Sequence, residues 1–119
     1  VTESQWATLR HFNKSEFNEP EKMSYPLLVK LDSARDVAGI PFTITSSYRE
    51  DPDPTDDENS AHYEGLAVDI RAPDGYSRFR IVNALLAAGF LRIGVYDRHV
   101  HADVDPNKPA PVLWTGVSQ

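Results

Sequence analysis

Two short segments decide most of what this chain can fold into. In residues 65–72, GLAVDIRA, the apolar Leu66, Val68 and Ile70 alternate with Ala67, Asp69 and Arg71. In residues 96–104, YDRHVHADV, the apolar Val100, Ala102 and Val104 alternate with Asp97, His99, His101 and Asp103. Side chains along a strand point to opposite faces in turn, so each segment reads as a strand with one apolar and one ionisable face. A charge inside an apolar strand is costly unless it is paired. Asp69 therefore calls for a partner, either an arginine such as Arg71 or a metal ion. The row Asp97, His99, His101, Asp103 would repel or demand solvent unless it shares a cation or a hydrogen-bond network. An exposed edge strand, where charge discourages pairing with another chain, is the other reading of that row.

The rest of the chain supplies the frame. TESQWATLRHF (2–12) opens with a Thr-x-x-Gln capping box and sets Trp6, Leu9 and Phe12 on one helical face. A second helix is expected from the Ser24 cap to the Gly39 stop, with Leu27, Leu28, Leu31, Ala34 and Ala38 as its stripe. IPFTITSSYR (40–49) alternates like a strand, and GYSRFRIVNALLAAG (75–89) reads as a third helix burying Phe79, Val82, Leu85 and Leu86. The proline-rich tail after Val104 reads as irregular. Helices early and between, with strands gathered late, predict an α+β fold: a small, mostly antiparallel sheet with flanking helices. At 119 residues a single domain over 1–119 is expected.

Composition narrows the function. A net charge of −6 leaves no basic stripe for phosphates, so no nucleic-acid partner is expected. The absence of cysteine excludes disulfides, thiolate metal sites and a cysteine nucleophile. No apolar run approaches the ~18 residues that span a bilayer. The sequence starts at Val1 rather than methionine, as a processed or excised piece would, so a missing export signal carries little weight. REDPDPTDDENS (49–60) holds six acidic residues, two prolines and no apolar side chain, and reads as a solvated loop. Calcium binding by that loop is the alternative, although it lacks the spacing of an EF-hand.

Imidazole and carboxylate are both zinc ligands, and a catalytic zinc takes three protein donors with one position left for water. His62, Asp69 and one of the two histidines at 99 and 101 would supply that count, with Gly65 permitting the turn that lets the first two converge. Arg49, at the end of the TSSYR stretch, suits two-pronged contact with a carboxylate. An ordinary surface arginine reads the same way.

Together these blocks resemble the zinc D-alanyl-D-alanine carboxypeptidases and L-alanyl-D-glutamate endopeptidases, which share a fold with hedgehog signalling domains. The family signature Ser-x-His-x-x-Gly-x-Ala-x-Asp stands complete at Ser60, His62, Gly65, Ala67 and Asp69. Ser-x-Tyr-Arg precedes it at Ser46, Tyr48 and Arg49, and a histidine followed by x-Asp closes it at His101 and Asp103. The resemblance implies a hedgehog/DD-peptidase-like fold, with Zn2+ held by His62, Asp69 and His101. It implies that Arg49 orients the substrate or helps the developing oxyanion, that Tyr48 contacts the substrate, and that Ser60 contacts either the substrate or the residues around the metal. The implied activity is hydrolysis of peptidoglycan stem peptides at the bacterial cell wall, by a monomer that is secreted, periplasmic or phage-associated. One departure stands out: the family's acidic general base falls on Arg98 here. Asp97 is then the favoured substitute, with His99 as the alternative. The departure also leaves open a catalytically silent zinc-holding binding or virion structural module.

Overall fold

The computed structural model describes residues 1–118. Helix α2, Tyr25–Ala38, starts where Ser24 Oγ accepts from the Leu27 amide at 3.4 Å and stops at Gly39, which takes a left-handed φ of +67°. Its expected stripe is in place: Leu27, Leu28, Leu31, Ala34 and Ala38 are all buried. Helix α3, Gly75–Ala87, is capped by the Asp74 carboxylate on the Ser77 amide at 2.8 Å.

Helix α3 buries a different face from the one its largest side chains suggest. Phe79 and Leu86 are 69% and 56% exposed, whereas Ile81, Ala84 and Leu85 are buried. The two long helices pack on each other, and Ala34 and Ala38 of α2 and Ala84 of α3 are among their buried residues. Packing against a neighbouring helix, rather than side-chain size, therefore decides which face of α3 is buried.

The first helix, α1, is also shorter than its apolar spacing implies, spanning only Glu3–Trp6. Its capping box is present, with Thr2 and Gln5 bonding each other's backbone amides. The chain then leaves the helix because the Asp32 carboxylate on α2 takes the amides of Arg10 and His11 at 3.0 and 2.9 Å. That detour brings both Trp6 and Phe12 against Phe17, with ring centroids 5.3 and 5.8 Å away.

Five strands form one sheet in the order β1-β2-β4-β3-β5. They are β1 Ile44–Ser46, β2 Ala67–Arg71, β3 Arg92–Val95, β4 His99–Asp103 and β5 Val112–Thr115. All neighbouring pairs are antiparallel except β3 with β5, which run parallel. Strand β5 lies in the tail that reads as irregular; its VLWT run is strand-forming, and the prolines end just before it. Val68, Ile70, Ile93, Val100 and Ala102 join the helices in one buried apolar cluster. No helix among the described residues is long and apolar enough to cross a membrane.

Register places the site. Ser46 pairs with Asp69, Asp69 with His101, His101 with Gly94, and Gly94 with Trp114. One cross-strand row therefore runs over all five strands on the face away from the core.

Candidate metal centre

Asp69 sits at the middle of that row, 6% exposed. Arg71 is exposed and is not its partner; Arg49 Nη2 lies 3.1 Å from Asp69 Oδ2. Two imidazoles reach the other oxygen, with His101 Nδ1 at 3.1 Å and His62 Nε2 at 3.4 Å from Oδ1. Donor atoms of His62, Asp69 and His101 all lie within 4.8 Å of one another.

His62 arrives from a 3₁₀ turn, Ala61–Glu64, that feeds β2. Ser60 Oγ caps the turn by accepting from the His62 amide at 3.2 Å, so its hydroxyl serves the local fold. Gly65 ends the turn at φ +69°, where a Cβ would stand 2.0 Å from the Lys22 carbonyl oxygen. Only glycine fits both the conformation and the space.

The ring nitrogens away from Asp69 are spoken for. His62 Nδ1 lies 2.6 Å from the Ser47 carbonyl oxygen, and His101 Nε2 lies 2.6 Å from Asp103 Oδ2. Both partners only accept, so these nitrogens carry the protons in the neutral rings. Two lone pairs then converge with a carboxylate oxygen, an arrangement that a cation satisfies. Two nitrogens and one carboxylate are a zinc donor set, and outer hydrogen bonds of this kind orient zinc-bound histidines. The residues fit a zinc ion.

Proton equilibria bear the marks of the cluster. Burial opposes ionisation of Asp69, but the His101 and His62 rings, which donate to it only when they carry the extra proton, overcome it and hold the carboxyl far below its ordinary range. Burial also disfavours charge on His101, yet the carboxylates of Asp103 and Asp69 raise its pKa above the usual imidazole value. His99 moves the opposite way, because burial lowers its pKa and favours the neutral ring. That ring stacks on Tyr96 at 4.4 Å, with Nδ1 3.0 Å from Ser118 Oγ and Nε2 3.9 Å from Asp69 Oδ2.

Arg49, Asp56, His62, Asp69, His99 and His101 border one solvent-open hollow. Hydrogen bonds to Ser46, Asp56 and Asp69 engage three of the five N–H groups on Arg49. Asp97 stands apart: it occupies the β3–β4 turn, and its Oδ1 accepts from the Ser118 amide at 2.6 Å. Tyr48 stands apart too, packed partly on the core with the Lys22 ammonium 4.8 Å above its ring.

Asp56 is the residue that sequence reasoning missed. The acidic loop is not wholly solvated: the Asp56 side chain is only 10% exposed and is salt-bridged to Arg49. Its Oδ2 is buried without a hydrogen-bond partner among the described residues. Tyr63 ties the same loop down, its hydroxyl accepting from the Asp53 amide at 2.9 Å. An arginine seven residues upstream of an aspartate is too common a spacing to signal this pairing.

Trp114 of β5 closes the far end of the row. A Cβ on Gly94 would meet its indole at 2.6 Å, so glycine there lets the ring lie over β3, 5.4 Å from the His101 ring. Its Nε1 donates to the Tyr96 hydroxyl at 2.9 Å, which ties the wall to the ring that stacks on His99.

Fold and donor set together define an α+β domain with a candidate metal site on the open face of the sheet. The chain belongs to the Peptidase M15 family, whose model matches residues 6–105. Peptidases of that family are zinc-dependent, and the match contains Arg49, His62, Asp69 and His101 while stopping short of β5. A comparison with curated proteins gave no match.

Proposed function

We propose that the chain is a zinc peptidase that hydrolyses peptide bonds in the stem peptides of bacterial peptidoglycan. The convergence of His62 Nε2, Asp69 Oδ1 and His101 Nδ1 carries this reading. These residues would hold a zinc ion, which when bound acidifies water and polarises a carbonyl. His99 is the proton acceptor: its neutral ring borders the same hollow as the ligands, whereas Asp97 faces Ser118. Water oxygen adds to the scissile carbonyl carbon, His99 takes the water proton, and the proton passes to the amine nitrogen as the C–N bond breaks. Arg49 steadies substrate carbonyl or carboxylate oxygens with the N–H groups left over from its three internal bonds. The bond cut is a terminal D-Ala–D-Ala or an internal L-Ala–D-Glu-type linkage, and the enzyme works as a monomer at the cell wall, exported or carried by a phage.

A second reading rests on the β3–β4 turn. No acidic side chain from it reaches the ligands among the described residues, as a zinc-holding binding or virion module without turnover would allow.

The test is zinc content of the purified protein, followed by digestion of purified peptidoglycan with and without chelator, read by mass spectrometry. About one zinc per chain with chelator-sensitive products is expected, and the product masses name the bond. Zinc without products favours the silent module. No zinc overturns both readings.

A further inference from the structure

We propose that Asp103, backed by Arg92, is a positioning residue that dictates which nitrogen of His101 is free to hold a metal. The inference rests on the zinc reading above and goes beyond it in assigning work to residues outside the ligand set. Asp103 is 2% exposed, on the same face of β4 as His101 and two residues along. Every polar contact it makes is an accepted one. Oδ2 lies 2.6 Å from His101 Nε2, while Oδ1 takes Arg92 Nε at 2.7 Å and the Asp105 amide at 3.1 Å.

An ionised carboxylate accepts at both oxygens and donates at neither. Its side toward His101 therefore requires a proton on Nε2. Nδ1 is left with its lone pair, 3.1 Å from Asp69 Oδ1. Two paths hold the carboxylate in place. Arg92 Nη1 is fixed on the Pro109 carbonyl at 2.6 Å, and its guanidinium carbon lies 5.0 Å from the Trp114 ring. Arg92 thereby joins the β5 wall to a metal ligand through one charged hydrogen bond.

An amide of the same shape cannot do this work. Asparagine has a single acceptor oxygen, so its NH2 must face either the His101 N–H or the N–H groups of Arg92 and Asp105. One side is then unpaired or the imidazole changes tautomer. Loss of an outer partner of this kind costs about 10–100-fold in metal affinity.

The experiment uses the full chain and zinc alone. Zinc affinity is measured by competition with a chromogenic chelator for wild type, Asp103→Asn and Arg92→Lys. Nitrogen-15 spectra of the histidine rings give the His101 tautomer with zinc bound, and near-ultraviolet circular dichroism reports packing. Expected results are a wild-type ring protonated at Nε2, zinc binding 10–100-fold weaker in Asp103→Asn, and a smaller fall in Arg92→Lys. If Asp103→Asn fails to fold, the wild-type tautomer and Arg92→Lys carry the test. Wild-type ligation through Nε2, or a folded variant of either kind that binds zinc like wild type, overturns the proposal. A wild type that takes up no zinc is a separate outcome, which removes the zinc reading and this one with it.

Discussion

A single methyl group tests how tightly the site is built. At Gly65 an added Cβ meets the Lys22 backbone 2.0 Å away, and the positive φ is strained for any other residue. Gly65→Ala is expected to destabilise the protein by roughly 1–3 kcal/mol or more, seen as a lower urea midpoint. Gly94→Ala is a different case. The obstacle there is the Trp114 indole, a side chain on the edge strand β5, so the ring can move aside. Greater acrylamide quenching of tryptophan fluorescence is expected, with far-ultraviolet circular dichroism unchanged; unaltered quenching would show that the ring does not cover the row. The meeting of His62, Asp69 and His101 was legible because strand alternation and the Ser-x-His-x-x-Gly-x-Ala-x-Asp block are local patterns. Asp56 was not, because its burial depends on how a twelve-residue loop falls back onto Arg49. Asp97 shows the limit of alternation: the row holds only while the strand lasts, and β4 begins at His99.

At the scale of elements, caps were more legible than faces. Ser24 and Gly39 bound α2 as their chemistry demands, and replacing Ser24 by alanine should cost about 1 kcal/mol in a denaturant titration. Asp74 gives a pH-dependent counterpart. Hydrogen bonds from Ser77 lower its pKa in the folded protein. Its stabilising effect is therefore complete above the ordinary carboxylate pKa of about 3.9 and fades as pH falls through the lower folded value. The gap in urea midpoint between wild type and Asp74→Ala should be flat near neutrality and close below about pH 4. A gap that persists at low pH would mean that the carboxylate charge does not matter. Faces were harder to read, since α3 turns on a packing partner that periodicity does not see. Phe79 looks like core by size, yet it is Ala84 that is buried. Strand β5 was hidden by the prolines before it, and its parallel pairing with β3 is a long-range fact that no local pattern carries.

At the scale of the whole molecule, the candidate ligands join parts that the hydrophobic core joins only from behind. His62 stands on the turn that follows the acidic loop, Asp69 on β2 and His101 on β4, while Arg49 draws β1 and Asp56 to the same point. The core fastens the opposite face of the sheet to α2 and α3. Binding a cation to the native state alone must therefore stabilise the whole fold, by about 4 kcal/mol when free zinc is a thousandfold above its Kd. The melting temperature should rise with zinc concentration and fall back on adding chelator. His62→Ala should abolish the rise, because two ligands from adjacent strands remain without the third. Val37→Ala, on the exposed side of α2, should preserve it. An equal zinc-dependent rise in His62→Ala would place the stabilising ion somewhere other than the Asp69 row. The acidic loop would then be the first region to search, since Asp57 and Glu58 are exposed there.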